Sequence, residues 1–267
     1  MNLFRATVRS THIRRRVAAS RMCCERLAYA YRPVTPFPQQ ARRGRILCYH
    51  SVGTPAWGVN DVSPKKFRSH VEQALASGYR FVPAEVIALG QGGPRDLAIT
   101  FDDGLSSVAI HAAPVLATYN IPWTLFVVAQ WAEGQHAWGA STFLSWRDIE
   151  RLVEMGVTIG SHSVSHPRFR YLSSDETAQE LEDSRRIIES RIGILPATFA
   201  IPMGQSGDWS AQAQDLAAAA GYAHIFAQSE DRRPPGTIGR TFITRFDSGH
   251  IFRAALAGAF DRWEEWV

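Results

Sequence analysis

The sequence predicts an α/β fold built on a mainly parallel sheet. Three observations carry this. Seven or eight short apolar runs alternate with helical segments from residue 46 onward, the pattern of βαβ units. Several helical segments open on capping residues and end near glycine. The number of runs is enough to close a barrel.

The first run is ILCYHSV (46–52). Residues 63–79 read as a helix, with Ser63 as N-cap, Pro64 at the first helical position, Phe67, Val71 and Leu75 on one stripe, and Gly78 where a C-terminal glycine is expected. YRFV (79–82) is a second run and PAEVIALG (83–90) a short helix. DLAITF (96–101) is a buried strand that delivers Asp102 and Asp103 at its C-terminal end. Residues 105–120 form the next helix, with Pro114 as a kink or break. TLFVVA (124–129) is a strand. A helix follows over 145–156, with Ser145 and Asp148 at capping-box spacing. VTIGSHS (157–163) is a strand, and 173–193 a long amphipathic helix with a second capping box, Ser173 and Glu176. ATFAIP (197–202) is a strand, and 208–221 a helix. HIFAQ (224–228) and TFITRF (241–246) are two more runs, and a closing helix falls within 249–266.

Charge divides the chain. Residues 1–45 hold 11 of its 29 basic residues, all arginine, and one of its 25 acidic residues, Glu25. The remainder has 18 basic against 24 acidic residues, a net of −6. Residues 1–44 therefore read as a basic, Arg-rich N-terminal arm, flexible or partly helical, and 45–267 as one domain. An acidic body argues against a nucleic-acid partner. The arm suits peripheral contact with an anionic membrane surface or another polyanion. No apolar run suits a signal peptide or a membrane span, so the expected location is cytoplasmic, peripheral to the inner membrane surface. Cys23, Cys24 and Cys48 form neither a disulfide framework nor a C-x-x-C metal pattern.

In a closed barrel, functional groups gather where strands end. Three strand ends carry chemically coherent residues. TFDDG (100–104) places two carboxylates side by side. GSHSVSHP (160–167) places His162 and His166 four apart, on one face if the turn there is helical. FAIPMGQSGDW (199–209) has Pro202 and Gly204, which set up a tight turn able to aim backbone N–H groups inward. Singly, each has an ordinary structural reading: a helix cap, incidental histidines, a turn. Together they suggest a divalent cation between Asp103, His162 and His166, with Asp102 ionised beside it as a base. Such a cation lowers the pKa of bound water from about 16 toward roughly 7. Backbone N–H groups of the third loop would hold an oxyanion. The chemistry this assembles is hydrolysis of an amide or ester.

These residues resemble the polysaccharide deacetylase (NodB-homology) family. Its first motif is matched by Thr100, Phe101, Asp102, Asp103 and Gly104, and its second, H-[ST]-x-x-H-P, by His162, Ser163, His166 and Pro167. CYHSV (48–52) is similar to members acting on exopolysaccharides. The likeness runs from about residue 45 to 260. It implies a distorted (β/α) barrel of about seven parallel strands and one divalent metal ion, zinc first among candidates, on Asp103, His162 and His166. It implies Asp102 as catalytic base, the Met203 N–H at the oxyanion hole, and removal of N-acetyl, sometimes O-acetyl, groups from a polysaccharide, oligosaccharide or glycan intermediate. Two departures stand out. The arginine that opens the family's third motif is Ala200 here, leaving Arg240 or Arg245 to supply a guanidinium. The late L-x-x-H motif is not visible; His250 falls outside the pattern, and His50 is another candidate acid. His50, Trp209 and Arg245 are candidate substrate-binding residues, and Trp123, Trp131, Trp138 and Trp146 a candidate carbohydrate-facing wall. The rival readings are an amidohydrolase of a small non-sugar amide and a catalytically weakened glycan-binding barrel.

Overall fold

The computed structural model describes residues 2–32, 43–139, 141–228, 233–261 and 263, with side chains from Arg16 onward. After α1 (Asn2–Ala30) come β1 (Arg45–Tyr49), β2 (Ser51–Val52), β3 (Asp61–Val62), α2 (Pro64–Ala76), β4 (Arg80–Phe81), α3 (Ala84–Ala88) and β5 (Asp96–Phe101). Then follow α4 (Ala113–Thr118), β6 (Trp123–Val127), α5 (Ala129–Ala132), α6 (Trp146–Glu154), β7 (Thr158–Ser161), α7 (Ser174–Ile192), β8 (Thr198–Ala200), α8 (Ala211–Ala219), β9 (His224–Phe226), β10 (Thr241–Phe242) and α9 (His250–Leu256).

Seven strands pair in the order β10-β1-β5-β6-β7-β8-β9, and β4 adds to β5. Every pairing along this path is parallel. The sheet curves as a half-barrel, the expected α/β architecture. β2 and β3 form a small separate ladder.

Strand alternation sorts the core. Leu97, Ile99 and Phe101 of β5, with Leu125 and Val127 of β6, face the main cluster under the helices. Ile46, Ala98, Phe126, Ala200 and Phe226 form a second, smaller cluster on the other face of the sheet. A third cluster joins β8 and β9 to α7 and α8 through Phe199, Trp209 and Tyr222.

The caps act as read. Ser63 accepts from the Lys66 N–H, and both Ser145–Asp148 and Ser173–Glu176 close reciprocal capping boxes. Pro114 has no N–H to give the Ile110 carbonyl, and the chain opens into a π turn over Val108–Ala112 before α4. The run TLFVVA ends its strand at Val127, and Ala129 already begins α5.

The sequence sets residues 1–44 apart as an arm. In the structure α1 seats Arg26 and Ala30 in the core; residues 33–42 lie outside the described residues. Arg26 is fully buried. Its Nε donates to Asp247 Oδ1 at 2.8 Å, its Nη2 donates to Asp247 Oδ2 and to the Phe242 carbonyl, and the guanidinium lies 3.5 Å over the Phe260 ring. The Asp247 carbonyl takes the His70 Nε2–H, so His70 Nδ1 accepts from the Tyr49 hydroxyl at 3.0 Å. His70 also stacks on Phe252 at 4.0 Å. No helix among the described residues is long and apolar enough to cross a membrane.

Burial lowers the His70 pKa to about 4, from an ordinary value of 6.5. Between these values the unfolded chain takes a proton that the folded chain refuses. Stability from this residue is therefore present above about pH 6.5 and lost as pH falls toward 4. Urea unfolding across that window should show a His70 share of the slope of roughly 1–1.5 kcal/mol per pH unit. His70→Gln should remove that share; an unchanged slope would refute it.

Candidate active site

The buried strand β5 ends at Phe101, and the next two residues are the carboxylates. Strand alternation keeps Asp102 on the face of Ala98 and Thr100. Alternation would send Asp103 the other way, but its φ is 73°, in the left-handed region, followed by Gly104 at 71°. This turn lets both carboxylates serve one site.

Asp102 is buried and held at both oxygens. Arg240 Nη1 donates to Oδ1 at 2.6 Å and Nη2 to Oδ2 at 2.7 Å. Arg240 also donates to Thr100 Oγ1 at 3.2 Å and to the Ala227 carbonyl at 3.2 Å. Burial alone would raise the Asp102 pKa, but Arg240 and the nearby histidines outweigh it and hold the carboxyl below the usual range. Burial likewise works against the Arg240 charge, and Asp102 more than restores it. Cys48 Sγ lies 3.4 Å from Asp102 Oδ2.

Asp103 Oδ1 lies 3.6 Å from His162 Nε2 and 3.5 Å from His166 Nε2. His162 Nδ1 donates to the Ala200 carbonyl at 2.8 Å, so the carbonyl fixes the tautomer and leaves the Nε2 lone pair toward Asp103. Burial is the main cause that lowers both histidines to about 4, so both imidazoles are neutral at pH 7. Asp103 Oδ1 is buried without a hydrogen-bond partner. One carboxylate oxygen and two neutral imidazole nitrogens, all within 4.8 Å of one another, are a donor set that fits a divalent cation. Cys48, His50 and Asp102 form a second close group, but there the carboxylate already holds Arg240.

The histidines meet for a different reason than a helical turn. Ser163 and His166 have φ of 70° and 61°, and the loop between them is pinned from outside. Glu180 on α7 accepts from the Val164 N–H at 2.8 Å, the Ser165 N–H at 3.1 Å and the Ser165 hydroxyl at 2.6 Å. Ser163 Oγ accepts from the His166 N–H at 2.9 Å. Nothing in the local spacing signals Glu180.

Asp103 and His166 line a cleft of about 560 Å³; Asp102 and His162 are buried and not part of its lining. Met203 lines it with φ of 63°, followed by Gly204 at 67°. A Cβ on Gly204 would come within 2.7 Å of the Gln228 side chain, so this turn needs glycine. His50 lines the cleft edge-on to Phe242, its Nδ1 buried and unpartnered.

Other candidates lie elsewhere. Trp209 packs against Phe169 and Phe199 and donates to Gln214 Oε1; its ring is core to β8 and α8 and does not line the cleft. Arg245 is exposed and also outside the cleft lining. Of the two arginines offered for the Ala200 departure, Arg240 alone reaches the carboxylate. His250 Nε2 meets the Ala30 carbonyl on α1. Of the four tryptophans, Trp131 and Trp138 line the cleft, joined by Trp57. Trp123 is core against Phe101, and Trp146 bonds Glu133.

A family model described as polysaccharide deacetylase matches residues 90–225. YxkH of Bacillus subtilis (strain 168) is 23% identical over 176 residues, 64% of this chain and 60% of that protein. The peptidoglycan-N-acetylglucosamine deacetylase PgdA of Listeria monocytogenes is 27% identical over 147 residues, 53% of this chain and 29% of that one. The chain thus spans less than two thirds of the length of either relative. Among solved structures, the Streptococcus pyogenes deacetylase PplD in complex with acetate superposes with a TM-score of 0.69 at 20% identity, over 83% of this chain and 99% of that one; this likeness concerns the fold.

Titration of the metal-stripped chain with Zn²⁺ should give one bound ion. Asp103→Asn and His162→Gln should each weaken binding by about 100-fold or more, beyond the 10–100-fold typical of outer-shell changes. Asp102→Asn should keep most of the affinity; equal losses in all three would refute the division of roles.

Proposed function

The chain belongs to the polysaccharide deacetylase family, and from that premise we propose that it is a metal-dependent hydrolase removing N-acetyl groups from a polysaccharide, oligosaccharide or glycan intermediate. The observation that carries this reading is the pairing of two adjacent carboxylates with different partners. Asp102 is locked by Arg240, and Asp103 is left open beside two neutral histidines. PgdA, whose name gives an N-acetylglucosamine substrate, supports the N-acetyl preference.

Asp103, His162 and His166 would hold the divalent cation, with zinc suited to a carboxylate and two imidazoles. Bound there, it would supply Lewis acidity to the acyl oxygen and acidify water.

The chain's own groups do the rest. Arg240 keeps Asp102 ionised, so the carboxylate can take the proton of the attacking water. Water adds to the acetamide carbonyl carbon, and the Met203 N–H donates to the oxygen that gains charge. Asp102 passes the proton it took to the nitrogen, the C–N bond breaks, and acetate and a free amine leave. Trp57, Trp131 and Trp138 line the cleft and would give the sugar an aromatic wall, beside the half-buried His50.

Acetate and free-amine release from N-acetylglucosamine oligomers tests this, with metal stripped and then restored. Release should require metal and fall about 10²–10⁴-fold in Asp102→Asn. No release with any metal, while zinc still binds, would overturn the reading.

Arg240 carries a separate expectation. In Arg240→Gln the largest influence lowering the Asp102 pKa is gone and burial acts unopposed by it. The base then protonates at higher pH, so the acid limb of the kcat/KM profile should move upward. An unmoved limb with reduced kcat would assign Arg240 a purely structural part.

A further inference from the structure

α1 has one face buried and one exposed. The inner face carries Arg26 and Ala30, buried on the barrel, with Met22 and Tyr29 half-buried. On the other face, at about 3.6 residues per turn, Val17, Ser20, Cys24, Leu27 and, one residue past the helix end, Tyr31 fall within roughly 80° of arc. Val17 is 62% exposed and Leu27 43%; Tyr31, 73% exposed, lies with its ring 4.5 Å from that of His250 on α9. Arg16 and Arg21, both exposed, flank this apolar stripe on either side.

Charge adds to the pattern. Residues 1–32 hold eight arginines and one acid, Glu25. Glu25 is engaged by Arg21 at 3.0 Å and by Trp263 Nε1 at 3.4 Å. The body beyond residue 45 is net negative, so attraction to an anionic surface must come from this segment. An apolar stripe edged by arginine is the composition that lies in a headgroup layer, with apolar side chains entering the acyl boundary and guanidinium groups on the phosphates. A soluble polyanion would use the arginines and leave Val17, Leu27 and Tyr31 in water.

The helix is also presented rigidly. Arg26 is locked to Asp247 and to the Phe242 carbonyl, and the Phe242 ring stands edge-on to His50 in the cleft. We infer that the outward face of α1 is an interfacial surface that seats the chain on an anionic lipid bilayer, at a fixed orientation of the cleft.

Flotation of the full chain with vesicles tests this. It should bind phosphatidylcholine vesicles that contain phosphatidylglycerol, and bind phosphatidylcholine alone far less. Arg14→Gln, Arg15→Gln and Arg16→Gln combined should weaken binding about 100-fold, each basic residue contributing about fivefold. Val17→Ser with Leu27→Ser keeps the charge and changes only exposed positions. It should weaken binding at least about tenfold, with unchanged thermal unfolding and unchanged hydrolysis of soluble substrate. Absence of binding to anionic vesicles would overturn the inference. So would full binding by the double serine variant, which would identify a general polyanion contact, or equal binding to neutral vesicles.

Discussion

The buried pairing of Arg240 with Asp102 is the interaction on which the site depends. Two carboxylates at one strand end, both nearly out of water, repel each other and would each prefer a proton. Arg240 removes one of them from the contest by holding both its oxygens. It is itself fixed by Thr100 and by the Ala227 carbonyl, so its direction is set by the barrel and not by the carboxylate alone. A buried pair of this kind contributes little net stability, since desolvation of both groups offsets much of the attraction. Its value lies in keeping a carboxylate ionised in a place where burial would otherwise neutralise it.

The rest of the site is built from strained turns with outside support. Asp103, Ser163, His166 and Met203 all have positive φ, and none is glycine. Such residues persist only when their surroundings over-determine them. Glu180 supplies that for the histidine loop through three hydrogen bonds, and the Ala200 carbonyl supplies it for the His162 ring. The position where the family pattern has an arginine is thus still used here, through its backbone.

The strands, the capping boxes and the four residues Asp102, Asp103, His162 and His166 were legible because each is written in adjacent residues. DLAITF must be buried on both faces, and Ser145–Asp148 closes within one turn. What stayed illegible joins distant residues. Arg240 lies 138 positions from Asp102 and Arg26 221 from Asp247, and no local pattern distinguishes them from surface arginines. Trp209, at the opening of the helix read over 208–221, is a candidate to stack on a sugar, but its packing on Phe169 and Phe199 decides otherwise. Trp57 escapes for the converse reason: only the folded chain brings residues 54–60 to α5 and the loop after it, which carry Trp131 and Trp138.

The late position of Arg240 bears on how the chain is made. β10, which follows it directly, is the last strand among the described residues and pairs with the first, β1. During synthesis from the N-terminus, Asp102 emerges long before its guanidinium partner. The open edge of β1 likewise waits for β10, and Arg26 waits for Asp247. Long-range pairings of this kind form late, since closing the loop between them costs entropy before any contact compensates. A nascent chain lacking its last segment therefore holds an unpaired carboxylate and an uncovered strand edge, the features that recruit chaperones and invite aggregation. Asp102 gains its guanidinium partner in the same event that completes the sheet.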